Sequence, residues 1–206
     1  MSERDFFSDE AKRTSAASVR AVEAQTSAEV VVAVRKQSGR YGVLAYHFGL
    51  GLAAFVVLVL LLAPAVYSVE AIALEGVLAF ALGSGVAASL DTLRRSISRP
   101  STLAANVNTA ARAAFFDLGI SRTSGRSGIL VYVSLFERRV VVLTDIGLDP
   151  VKLEPGWASA IEALETAIKR RDLSEFQRTL TSFGPLLGRA YPRSADDVNE
   201  LPDEVQ

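Results

Sequence analysis

Cysteine is absent from this 206-residue chain, and histidine and tryptophan each occur once. Without cysteine there can be no disulfide, thiolate nucleophile, zinc ribbon or iron–sulfur ligation. One histidine, His47, rules out H-E-x-x-H and every multi-histidine metal site. A Ser-His-Asp triad would have to recruit this residue, which abuts an apolar run. An excess of basic charge is also missing: 22 Lys and Arg stand against 23 Asp and Glu. No basic domain is available to bind nucleic acid. Any metal held here would be a hard cation on oxygen ligands, Ca²⁺ or Mg²⁺.

Charge itself is missing from one region. Residues 41–93 contain only Glu70, Glu75 and Asp91. The segment FGLGLAAFVVLVLLLAPAV, residues 48–66, has no charged residue. About 20 residues at ~1.5 Å rise cross the ~30 Å hydrocarbon core of a bilayer, so spans are predicted over about 46–67 and 70–90. The two form a transmembrane hairpin, with the lipid bilayer as its first partner. Gly83, Ser84, Gly85, Ala87 and Ala88 supply small residues for close helix packing, against the first span, a second copy or a membrane-protein partner. Arg35, Lys36 and Arg40 precede the hairpin and Arg94, Arg95 and Arg99 follow it, whereas its connecting turn carries only Glu70. The positive-inside rule then predicts a two-pass protein with both termini cytoplasmic.

The remaining sequence, residues 1–40 plus 94–206, has the charge density of a water-facing domain, and neither part alone suffices for a core. Ser8-Asp9-Glu10 opens a helix with Ala11, Ser15, Val19 and Val22 on one face. Glu29–Val34 is a β-branched run typical of a strand covered on both sides. A helix from Pro100 carries the stripe Leu103, Val107, Ala111, Ala114, Leu118 and closes at Gly119. Gly128–Val133 and Val140–Leu143 read as strands joined by an exposed turn at Glu137-Arg138-Arg139. Two helices follow, about 155–171 and 174–190, the second broken near Gly184-Pro185. Residues 193–206 hold five acids and one base and are predicted to be a mobile tail. The fold class is α/β: a small mixed β-sheet flanked by helices and interrupted by the hairpin.

Several segments resemble the TPM-domain family, which includes thylakoid acid-phosphatase-like proteins and a membrane-inserted bacterial subgroup. Thr26-Ser27-Ala28-Glu29 before the valine strand is similar to that family's T-S-G-E-I opening, with Ala28 in place of glycine. The run from Ala114 to Thr123, continued from Arg126 to Val140, resembles its central segment, and Asp145-Ile-Gly-Leu its D-x-G-I/L turn. Asp196 to Glu204 is similar to an ending of the membrane-inserted subgroup. The resemblance implies the bacterial inner membrane, a TPM-like fold and, in some members, acid-phosphatase activity or a calcium-like ion held by acidic residues.

A crossover helix between the first two strands makes them parallel, and the hairpin turn makes the third antiparallel. That topology gathers Glu29, Arg126, Ser127 and Asp145 at one end of the sheet, with Asp149 in the same loop. Glu29, Asp145 and Asp149 are candidate ligands for Ca²⁺ or Mg²⁺, and Arg122, Thr123 and Arg126 for an anion. The alternative is structural: Glu29 pairs with Arg126 and Asp145 caps a turn. The opposite end collects Arg35, Lys36, Arg138 and Arg139, joined by Arg94 and Arg95 as residues expected at the membrane surface. Three functions fit: a membrane-anchored interaction or assembly-support module, a divalent-ion-dependent phosphatase acting on phosphate esters, or a regulator brought to another membrane protein by the small-residue face at 83–88. The second lacks a cysteine nucleophile, a D-x-D pair and a histidine near the proposed end.

Overall fold

A computed structural model describes residues 6–194 and 199–201. Within them lie eight α-helices and a three-stranded sheet. The order is α1 (Asp9–Glu23), β1 (Glu29–Arg35), α2 (Gly42–Leu62), α3 (Val69–Ser89), α4 (Asp91–Ile97), α5 (Pro100–Asp117), β2 (Gly128–Ser134), β3 (Arg139–Thr144), α6 (Trp157–Arg170), α7 (Leu173–Thr181) and α8 (Phe183–Ala190). The chain divides into two compact units, residues 1–38 with 104–206, and residues 39–103. The cut falls beyond residue 93 because α4, which the sequence did not announce, packs on α2 and α3.

In the first unit the strand order is β1-β2-β3. β1 runs parallel to β2, Glu29 opposite Gly128 and Arg35 opposite Ser134. β3 returns antiparallel, with Thr144 opposite Ile129 and Arg139 opposite Ser134. Successive side chains alternate between faces. Val30, Val32, Val34, Ile129, Val131 and Val133 join one core with Val19 and Val22 of α1, Leu164 and Ile168 of α6, Phe176 and Leu180 of α7 and Leu187 of α8. Val31, Ala33, Leu130 and Tyr132 join a second core with Val107, Ala111 and Ala114 of α5 and with Ile120. Covering both faces requires the unbroken apolar strands seen in the sequence. Each fully buried side chain the size of Leu164 contributes roughly 1.5–3 kcal/mol relative to exposure.

The helix ends follow local chemistry. Ser8 Oγ accepts the Ala11 N–H at 3.1 Å, with Asp9 and Glu10 in the first turn of α1. Gly119 takes φ +67° after α5, the left-handed turn a glycine permits. The expected break in the last helix falls at Ser182, upstream of Gly184-Pro185. Pro185 lacks an N–H and crowds the carbonyl four residues back, so Pro185 is accommodated in the first turn of a new helix.

In the second unit α2 and α3 are both 21 residues long, with mean hydropathies of 2.3 and 1.8 over their most apolar stretches. They are long and apolar enough to cross a membrane. Only 11% and 17% of those stretches is buried, unlike the core helices of a water-soluble protein. Their contact is a small-residue seam: a Cβ on Gly49 would lie 2.7 Å from the Phe80 carbonyl oxygen, and one on Gly83 3.0 Å from Gly49 Cα. Ala45 and Gly49 face Ala79, Gly83 and Ala87 in this buried seam. Gly83 and Ala87 are buried in the seam with the first span, Ser84 is half-buried, and Gly85 and Ala88 remain exposed.

Candidate functional site

At the end of the sheet where β1 and β2 begin, Glu29, Gly128 and Asp145 form one row: Glu29 pairs with Gly128, whose carbonyl accepts the Asp145 N–H at 2.9 Å. The acids sit on outer strands, so two strand spacings, roughly 10 Å, separate their backbones. The space between them is filled. A Cβ on Gly128 would lie 2.2 Å from the Ile120 carbonyl oxygen, so the short helical turn Ile120–Arg122 rests directly on that glycine.

Each acid has other partners. Arg126 donates to both oxygens of Asp145, from Nε at 2.6 Å and Nη2 at 2.9 Å. Asp145 Oδ1 also accepts the Ile146 N–H at 2.8 Å. Asp145 is 4% exposed, against 48% for the Arg126 side chain. Hydrogen bonding from Arg126, aided by the Ile146 N–H, holds the Asp145 carboxyl below the usual aspartate range against the opposing effect of burial. Asp149 Oδ1 accepts the Val151 N–H at 3.0 Å and caps the short helix Pro150–Leu153. Glu29, buried, accepts the Glu200 N–H at 3.4 Å.

Glu29, Asp145 and Asp149 thus each have their own hydrogen-bond partners. Among the described residues no three acidic or histidine side chains are grouped to hold a metal ion. Arg126 takes Asp145 as its carboxylate partner. Gly147 explains that choice: a Cβ there would lie 2.2 Å from the Gly125 carbonyl oxygen. The Asp145–Gly147 turn therefore presses against the Arg126 loop, and the Gly147 N–H donates to the Arg126 carbonyl at 2.9 Å.

The proposed anion residues are dispersed. The Arg122 stem lies over Gly119. Thr123 is buried and its Oγ1 accepts the Ser127 N–H at 2.9 Å. Besides Arg126, which grips Asp145, Ser124 holds an anionic group, and the sequence did not single it out. Its N–H and hydroxyl donate to the two oxygens of Glu200 at 2.9 and 2.7 Å. These bonds hold the Glu200 carboxyl below the usual glutamate range. Leu201 packs on the second core. Asn199–Leu201 thus has defined contacts; residues 195–198 and 202–206 of the expected tail lie outside the described residues.

The other end of the sheet carries a polar cluster. Glu137 is 4% exposed rather than an exposed turn residue. Backbone pairing continues past β1 and β2, with Leu135 and Phe136 donating to the carbonyls of Arg35 and Lys36 at 3.0 and 2.9 Å. This extension draws Glu137 under Ser38, whose N–H donates to Glu137 Oε1 at 2.9 Å. Ser134 Oγ donates to Glu137 Oε2, and Ser38 Oγ lies 2.6 Å from Ser134 Oγ and 3.0 Å from the Tyr132 hydroxyl. Arg35 and Lys36 are exposed at this end, and Arg138 and Arg139 are half-buried there. Arg94 and Arg95 belong to α4 in the second unit, where Arg94 pairs with Asp91.

No family model and no curated protein matches the chain. A solved structure does: the NMR structure of the BA42 protein from the psychrophilic bacterium Bizionia argentinensis sp. nov., with a TM-score of 0.58. The match covers 96% of this chain and 92% of that one at 17% identity. The likeness is one of fold.

Proposed function

We propose that this chain is a TPM-like, two-pass protein of the bacterial inner membrane whose α/β unit serves as an interaction or assembly-support module for membrane proteins. The observation that carries it is the insertion: α2 and α3 lie in sequence between β1 and α5, and neighbouring strands β1 and β2 are separated by both spans. Such a unit has its anchor built into the domain rather than attached through one linker. Leu50, Phe55, Leu58, Leu61, Leu74, Val77 and Leu82 are all exposed on the hairpin, an apolar surface far larger than water-soluble monomers carry. The basic residues flanking the hairpin, set against Glu70 in its turn, favour cytoplasmic termini.

The phosphatase alternative depended on Glu29, Asp145 and Asp149 acting together. Their other hydrogen bonds leave no observation that favours it. The assembly reading is tested by carbonate extraction of native membranes, then purification in mild detergent and mass spectrometry of what co-elutes. Retention in the membrane and a specific membrane-protein partner are expected. Release by carbonate, or no partner above a mock purification, would remove the reading.

A further inference from the structure

We infer that the Thr123–Ser127 loop, with the start of β1 beside it, is a docking site for a short acidic peptide of another polypeptide, held in this structure by the chain's own Asn199–Leu201. Three features of a peptide are read at once. Ser124 gives two donors, one backbone and one side chain, to the two oxygens of one carboxylate. Glu29 accepts the N–H of the same residue, and the second core receives the apolar side chain that follows it. The site therefore fits a Glu-Leu pair in a defined direction, rather than negative charge in general.

The internal occupant is suited to exchange. Ser124 and Glu200 are both exposed, and hydrogen bonds between exposed groups exchange readily with water. The preceding chain is fixed on the same unit: Thr26 Oγ1 donates to the Tyr191 carbonyl at 2.7 Å, the Ser27 N–H reaches that carbonyl at 3.1 Å, and Thr26 bridges Pro192. Tethered so close, the segment competes at an effective concentration in the millimolar range. It acts as a cis competitor, and a partner's peptide gains access when it lifts.

The test uses the full chain in detergent micelles and a fluorescent peptide with the sequence of residues 194–206. Fluorescence anisotropy is compared for the wild type, for the double variant Glu200→Gln/Leu201→Ala, and for a chain truncated after Ser194. Trp157 emission checks that each is folded. Both altered proteins should bind the peptide about tenfold more tightly than the wild type, the cis competitor having been removed. Adding Ser124→Ala to either should reverse most of that gain, and a peptide with glutamine at position 200 should bind severalfold more weakly. If the truncated chain binds no tighter than the wild type, or if the glutamine peptide binds equally well, the proposal is overturned.

Discussion

Arg126 grips both carboxylate oxygens of Asp145 from the loop before β2 to the turn after β3. Arg126 itself has φ +50°, an uncommon conformation for a residue with a side chain. Asp145→Asn should lower unfolding stability by about 1–2 kcal/mol at neutral pH, since charged hydrogen bonds are lost while half of the arginine stays in water. The Asp145 carboxyl lies below its ordinary range in the folded chain. Its contribution is therefore present above pH ~4 and is lost as pH falls through the lower, folded value. Wild type and variant should converge in acid, as measured by denaturant titration of Trp157 fluorescence, because the sole tryptophan is buried in this unit.

Glu137 supplies acceptors for the Ser38 N–H and the Ser134 hydroxyl. Glu137→Ala strands the buried Ser134 hydroxyl and the half-buried Ser38 N–H and should cost about 1–3 kcal/mol by the same titration. Hydrogen exchange at the Ser38 amide should accelerate as well, because this cluster fixes the last residue of the unit before the chain enters the hairpin.

Two glycines of α2 provide a matched pair. A Cβ on Gly49 meets the α3 backbone, whereas one on Gly51 meets nothing within 4 Å. Gly49→Ala should therefore loosen the hairpin, and Gly51→Ala should be neutral or slightly stabilising through helix propensity. Oxidative cross-linking of a Val57→Cys/Gly76→Cys pair checks this. Val57 Cγ2 lies 3.1 Å from the Cβ position of residue 76, and no native cysteine interferes. Cross-linking should fall in the Gly49→Ala background only.

The strands and their directions were legible in the sequence because each is an unbroken apolar run rich in β-branched residues, and the intervening α5 requires a parallel crossover. The hairpin was legible through its lack of charge. What escaped was set by backbone approach. Ile120 over Gly128 and Gly147 against Gly125 separate Glu29 from Asp145 and send Arg126 to the latter. Composition shows three acids near one end of a sheet but not that a carbonyl oxygen lies between two of them. Glu137 was misplaced for a similar reason, since backbone pairing beyond β1 and β2 folds it inward. Ser124 and Glu200 lie 76 positions apart, and only the basic, hydroxyl-rich loop and the acidic tail hinted that they would meet.

If the α/β unit is complete without its insert, a chain with residues 43–93 replaced by a short Gly/Ser linker should still fold cooperatively. Its Trp157 emission and denaturant midpoint should match those of the full chain in detergent. Aggregation across several linker lengths would show that the hairpin contributes to the core.

The central claim is that the chain crosses the bilayer twice between β1 and α5, with its α/β unit inside. The absence of cysteine makes single introduced thiols unambiguous reporters. Val66, in the turn between α2 and α3, and Lys152, in the α/β unit, are both exposed. In intact cells a membrane-impermeant maleimide should label Val66→Cys and leave Lys152→Cys unlabelled until the membrane is permeabilised. Labelling of Lys152→Cys in intact cells, or protection of Val66→Cys, would contradict the two-pass topology with an internal α/β unit.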